Sequence, residues 1–169
     1  MDAGDVLIDF ALAHGFEDLP TSVIERARGA TLDTLGTMIA GRRGEGVAEL
    51  SRLYGSWGGR SDATEVVSGI RIPAPHAVFL NAMAGRAWDL DDVHEQNTCH
   101  IHVGLVPTLL ACAELRPDMS GQEFLACLAV GAEFIARMSS AQRISISETG
   151  GSLTFQCGFY GAAVAASKA

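Results

Sequence analysis

The segment FLACLAVGAEFIARM, residues 124–138, sets the tightest limit on the fold. Ser120 and Glu123 lead into it as a capping box, in which each side chain satisfies the other residue's free backbone N–H. Glu133 and Arg137 are its only charges. A helix that is apolar on nearly every side has to be wrapped by other elements rather than laid along a surface. No run of the chain approaches the roughly 18–20 uncharged apolar residues of a membrane span, so the wrapping is expected to come from protein. The partners must then be helices with one apolar face each.

The rest of the chain supplies them. Ile24, Ala27, Ala30, Thr31, Thr34, Leu35, Met38 and Ile39 repeat at helical spacing up to Gly41, and Ser22 with Glu25 fits a second capping box at the start. Val6, Leu7, Phe10 and Ala11 predict a short first helix ended by Gly15. Val47 to Tyr54 predicts another, flanked by Gly44 and Gly46. Pro73 and Pro75 suit the first turn of a helix from about His76 to Trp88, because a first-turn N–H has no partner to lose. Leu105 to Leu115 continues the pattern until Arg116-Pro117-Asp118 stops it, and CGFYGAAVAASKA closes the chain as an Ala-rich helix. EVVSGIRI favours short extended segments, and Ile144 to Gln156 reads as a loop.

Seven or so helices with little strand predict an all-α fold in one domain over residues 1–169. The last helix meets the chain end without a C-cap glycine, so the expectation is the N-terminal portion of a larger helical domain. A net charge of −8 argues against non-specific nucleic-acid binding, which needs a basic face. The acids in MDAGDVLIDFALAHG stand where a secretory signal has Lys or Arg, and the four cysteines form no CxxC pair. A cytoplasmic location with reduced thiols is expected.

Chemistry concentrates between the helix ending near Trp88 and the one starting near Leu105. Asp89, Asp91 and Asp92 are followed by His94, His100 and His102. Clustered carboxylates and imidazoles can ligate a first-row metal, although no defined metal spacing such as HExxH is present. They can equally perform metal-free acid–base chemistry, with a carboxylate orienting an imidazole that moves a proton near neutral pH. A third reading makes the acids a solvated helix end and the histidines surface residues. Cys99 beside His100 is a poor thiol pair, since adjacent residues seldom reach one reacting atom. The glycines of GGSLTFQCGFYG lack the spacing of a phosphate loop.

The run AWDLDDVHEQNTCHIHVGLVPTLLACAE resembles the LDFDDTH…HPS…VPAALALAE signature of the MmgE/PrpD family. Three further stretches resemble family segments in the right order: EDLPTSVIERARGATLDTLGTMIAG, APHAVFLNAMAGRAWDLDD and LTFQCGFYGAAVAASKA. The resemblance implies a large helical domain beside a smaller α/β lid, with only part of the helical domain present here. It implies a dimeric, metal-free and cofactor-free lyase for a small di- or tricarboxylate, of the kind represented by 2-methylcitrate dehydratase and cis-aconitate decarboxylase. A homodimer, or a complex with the remaining C-terminal part, is the partner expected.

Residue by residue, the first Asp of the family's DFDD falls on Asp89, followed by Asp91 and Asp92. The family Thr after them is Val93. The family histidine lies seven residues before the helix proline, which from Pro107 gives His100. Reading HVG as the family tripeptide gives His102 instead. The resemblance thus implies His100 or His102 as proton carrier, with Asp89 or Asp92 orienting it, and Asp91, His94, Ser152 and Thr154 on the substrate-binding side. A second family histidine is Ser152 here, and the family lysines are not in this sequence. The chain alone is therefore expected to be inactive. The alternative is a short, non-catalytic helical protein that docks a partner through its apolar helices.

Overall fold

The periodic segments fold as helices, which the computed structural model describes over residues 2–142 and 150–169. In order they are α1 (Ala3–Ala13), α2 (Thr21–Ala40), α3 (Val47–Trp57), α4 (Ala74–Arg86), α5 (His102–Leu115), α6 (Gly121–Ala141) and α7 (Leu153–Lys168). Single 3-10 turns lie at Phe16–Asp18 and Gly41–Arg43. Two short strands, β1 (Ala63–Thr64) and β2 (Arg71–Ile72), pair antiparallel with Ala63 opposite Ile72. Among the described residues this hairpin is the only sheet, and the fold is all-α.

Helix α5 is the hub, touching α2, α4, α6, α7 and β1. Its Leu105, Val106 and Leu109 are fully buried and join Leu128 and Ile135 of α6, Cys157 and Ala165 of α7, and Met38 of α2 in one core. Each large aliphatic side chain so buried contributes roughly 1.5–3 kcal/mol. The apolar α6 is wrapped as its composition demands. Its capping box forms, with Ser120 Oγ accepting from the Glu123 N–H at 3.1 Å and the Glu123 carboxylate from the Ser120 N–H at 2.8 Å. Between Phe124 and Ser140 only Glu133, Arg137 and Ser140 are exposed. Despite its charges α6 has the length and hydropathy to cross a membrane, and among the described helices it alone does. Packing against α2, α5 and α7 accounts for that composition.

Two glycines set close approaches. A Cβ on Gly161 of α7 would stand 2.2 Å from Ile135 Cγ1, so bare backbone lets α7 sit down on α6. A Cβ on Gly41 would stand 1.8 Å from the Ala84 carbonyl oxygen, where the turn after α2 leans on α4. The hairpin is pinned from two sides. Asn81 accepts from the Val66 N–H at 2.8 Å and donates to the Thr64 carbonyl at 3.0 Å. Glu114 accepts from the Thr64 N–H and hydroxyl at 2.7 and 2.8 Å.

Some boundaries differ from the sequence reading. No capping box forms at Ser22 and Glu25: α2 starts at Thr21 behind Pro20, and Glu25 pairs with Arg28 at 2.6 Å. The fixed backbone of proline starts the helix two residues too early for that box. Helix α4 stops at Arg86, before Trp88, and α5 starts at His102, three positions ahead of Leu105. The loop expected from Ile144 lies outside the described residues up to position 149, and Leu153 to Gln156 are already helical. On α7, Phe155, Phe159 and Tyr160 remain 67%, 74% and 59% exposed.

Candidate functional site

The loop between α4 and α5 is folded back by its own chain and tied to three helices. Asp89 adopts a left-handed backbone, φ 55°, which Asp tolerates better than most residues. Its N–H reaches the Arg86 carbonyl at 3.1 Å, turning the chain back over the end of α4. His94 and Cys99 form a short antiparallel bridge around a turn. The Asn97 side-chain amide meets the Ser139 and Ser140 hydroxyls of α6. Trp88 Nε1 donates to the Ala40 carbonyl at the end of α2, 3.1 Å away. Thr154 Oγ1 on α7 accepts from the His100 backbone N–H at 3.0 Å.

Two carboxylate–imidazole pairs result. In the first, Asp92 Oδ2 lies 2.9 Å from His102 Nδ1, and Asp92 Oδ1 accepts from the His102 backbone N–H at 3.1 Å. The residue ahead of α5 is Ile101, whose side chain cannot cap. Asp92 takes over that duty from the loop, so one carboxylate both starts the helix and orients its first side chain. Burial alone would raise the Asp92 carboxyl, but the His102 ring and N–H outweigh it and hold the group below the ordinary carboxylate range.

In the second pair, Asp91 is buried with its side chain only 1% exposed. Its Oδ1 lies 2.9 Å from Arg86 Nη1, and its Oδ2 lies 3.0 Å from His100 Nδ1. The latter contact is off the line of a hydrogen bond, so both buried atoms lack one. Arg86 also holds Asp89, whose Oδ1 lies 3.9 Å from His100 Nε2. Burial acts to lower the Arg86 guanidinium, yet the two carboxylates keep it above its ordinary value. Ligand atoms of Asp89, Asp91 and His100 all lie within 4.8 Å of one another, a donor set that suits a first-row divalent ion. Arg86 already pairs with both of those acids.

Residues 5–169 match the MmgE/PrpD N-terminal domain. The chain belongs to the MmgE/PrpD family. It is 33% identical over 141 residues to the cis-aconitate decarboxylase of Homo sapiens, covering 76% of this chain and 28% of that protein. It is 30% identical over 141 residues to the cis-aconitate decarboxylase of Mus musculus, covering 75% of this chain and 27% of that protein. This MmgE/PrpD chain therefore spans under a third of the length of both relatives.

Within the MmgE/PrpD domain the structure gathers Asp89, Asp91, Asp92 and His100 of one loop with His102 at the start of α5, and Thr154 touches the loop from α7. Asp91, rather than Asp89, is the carboxylate nearer His100. His94 turns to the Asn97 amide at 3.4 Å and makes no ion pair among the described residues. Ser152 stands at the N-cap position of α7 without a side-chain cap bond. Cys99 is fully buried, and burial together with the neighbouring Cys157 pushes its thiol up to about 11, which disqualifies it as a nucleophile near neutral pH. Arg86 went unnoticed in the sequence because it reads as an ordinary helix-end cation. The available signal was its place three residues before Asp89 and five before Asp91.

Proposed function

We propose that this MmgE/PrpD chain carries the proton-transfer loop of a lyase acting on a small di- or tricarboxylate by acid–base chemistry without a metal. The observation that carries the reading is the double grip of Asp92 on His102. With Nδ1 engaged by a carboxylate, Nε2 is the nitrogen left to exchange a proton with a substrate. His100, backed by Asp91 and Arg86, is the second proton carrier. Arg86 supports the metal-free part of the reading, since its guanidinium already engages both acids that a metal ion would need as ligands.

The relatives' name points to cis-aconitate and decarboxylation. In that reaction the C–C bond to a carboxylate breaks, CO2 leaves, and the electron pair stays on carbon until an imidazolium delivers a proton. Dehydration of a 2-methylcitrate-like acid uses the same groups differently. One imidazole takes the proton alpha to a carboxylate while an acid protonates the departing hydroxyl, releasing water. A histidine that changes protonation at Nε2 can serve either reaction.

The test is an assay of the chain, and of the longer gene product if it runs past Ala169, against cis-aconitate and 2-methylcitrate. In a preparation that turns over, His102→Ala should lower kcat by about 10²–10⁴-fold with an unchanged circular dichroism spectrum. A wild-type kcat in that variant overturns the assignment. We further infer that Phe155, Phe159 and Tyr160 form a surface for a second polypeptide, either another copy or a further part of the enzyme, in the cytoplasm.

A further inference from the structure

We propose that Asp89 is an internal stand-in for a ligand carboxylate: it occupies an anion seat formed by Arg86 and the Nε2 edge of His100, and a carboxylate of a small polycarboxylate displaces it. The inference rests on the polycarboxylate reading above and extends it to a named seat and a named gate.

The two acids on Arg86 are unlike. Asp91 is buried, 1% exposed, and its contact with Arg86 is a permanent part of the loop. Asp89 is 73% exposed, on a guanidinium that is itself 42% exposed. An ion pair this wet contributes little, so it can be exchanged at small cost. An incoming carboxylate meets the same planar fork of donors, and paired N–H contacts are the strongest a guanidinium makes. Asp89 also lies 3.9 Å from His100 Nε2, so its carboxylate sits between the cation and the imidazole. A ligand carboxylate in its place inherits both contacts. The left-handed backbone at Asp89, φ 55°, is a conformation few residues adopt, and release of the side chain frees the loop to leave it.

Asp89 therefore competes with the ligand for Arg86. Removing its charge while keeping its shape should tighten anion binding. Asn suits this test because it tolerates a left-handed backbone as well as Asp does. The measurement is isothermal titration of the 169-residue chain with tricarballylate, an unreactive tricarboxylate, at pH 7. Asp89→Asn should bind about fivefold more tightly than wild type, equivalent to about 1 kcal/mol at 25 °C. Glu95→Gln removes an exposed acid from the same loop and controls for general electrostatics; it should change the affinity by less than about twofold. Adding Arg86→Lys, which keeps a cation at Asp91 but lacks the fork, should abolish the gain.

Equal or weaker binding by Asp89→Asn overturns the proposal, as does a Glu95→Gln effect of the same size or no binding by any form. The seat and the lyase reading fail separately. Tighter binding by Asp89→Asn with full turnover in His102→Ala keeps the seat and removes the lyase assignment. Unchanged binding by Asp89→Asn with lost turnover in His102→Ala does the reverse.

Discussion

Asp92→Ala separates the structural duty of this carboxylate from its chemical one. Two hydrogen bonds disappear with it, one to the His102 backbone N–H at 3.1 Å and one to the ring at 2.9 Å. Loss of the first is loss of a helix cap, about 1 kcal/mol. Loss of the second removes a hydrogen bond to a charged group, about 1.5 kcal/mol. The side chains of Asp92 and His102 are 29% and 18% exposed, so some screening applies and the sum falls to about 2 kcal/mol. The loss must depend on pH, because the Asp92 carboxyl is held below its ordinary range in the folded chain. Its contribution is complete above the unfolded value of about 3.9 and drains away as pH falls through the lower folded value. Urea unfolding followed at 222 nm should give a wild-type to Asp92→Ala difference of about 2 kcal/mol at pH 6 that shrinks towards pH 3. Asp92→Asn should lose less than half as much, since Asn can accept from the backbone and donate to Nδ1. That forces the other tautomer, with the ring proton on Nε2, and removes the base. A difference under about 0.5 kcal/mol at pH 6, or one identical at pH 6 and pH 3, refutes the dual role.

The glycine contacts rank two further substitutions. Gly161→Ala drives a Cβ to 2.2 Å from Ile135 Cγ1, a side-chain atom that can move, and should cost about 1–3 kcal/mol, partly restored by Ile135→Ala, which removes that atom. Gly41→Ala meets the Ala84 backbone oxygen at 1.8 Å, which cannot swing aside, and should cost about 3 kcal/mol or more; a milder effect than at Gly161 contradicts the packing argument. On the exposed α7 face, Phe159→Asp should change stability by less than about 0.5 kcal/mol while shifting sedimentation velocity towards smaller species. An unchanged sedimentation profile speaks against a partner there.

The helical skeleton was legible because apolar spacing dictates which faces must be covered, and the 124–138 segment demanded the wrapping that α2, α5 and α7 provide. The acid and histidine loop was legible as a cluster, since its residue types lie close along the chain. Their pairing was not. Asp91 and Asp92 are adjacent in sequence, yet one turns to Arg86 and His100 and the other to His102. The left-handed bend at Asp89 and the loop's ties to Ala40, Ser139 and Thr154 decide that division, and no local pattern encodes contacts so distant in sequence. The same limit hid the start of α5. His102 reads as a loop residue until Asp92 folds back to cap it.

Charge balance leads to a last consequence for this loop. It holds three carboxylates, Asp89, Asp91 and Asp92, against one guanidinium, with two imidazoles that can be neutral. Among the described residues Arg86 is the only arginine or lysine in ion-pair contact with these acids. Lys168, the chain's one lysine, is spent on the Ala11 carbonyl at 3.0 Å. A tricarboxylate arriving here would face an excess of negative charge, and Arg86 with His100 offers a seat to only one of its carboxylates. The others require cations from outside the loop. On this argument the loop would supply one anchoring contact, and tight binding of a polycarboxylate would need those further cations. The 169-residue chain by itself should then hold tricarballylate weakly and with a steep loss of affinity on adding salt, since few of the charges involved are buried.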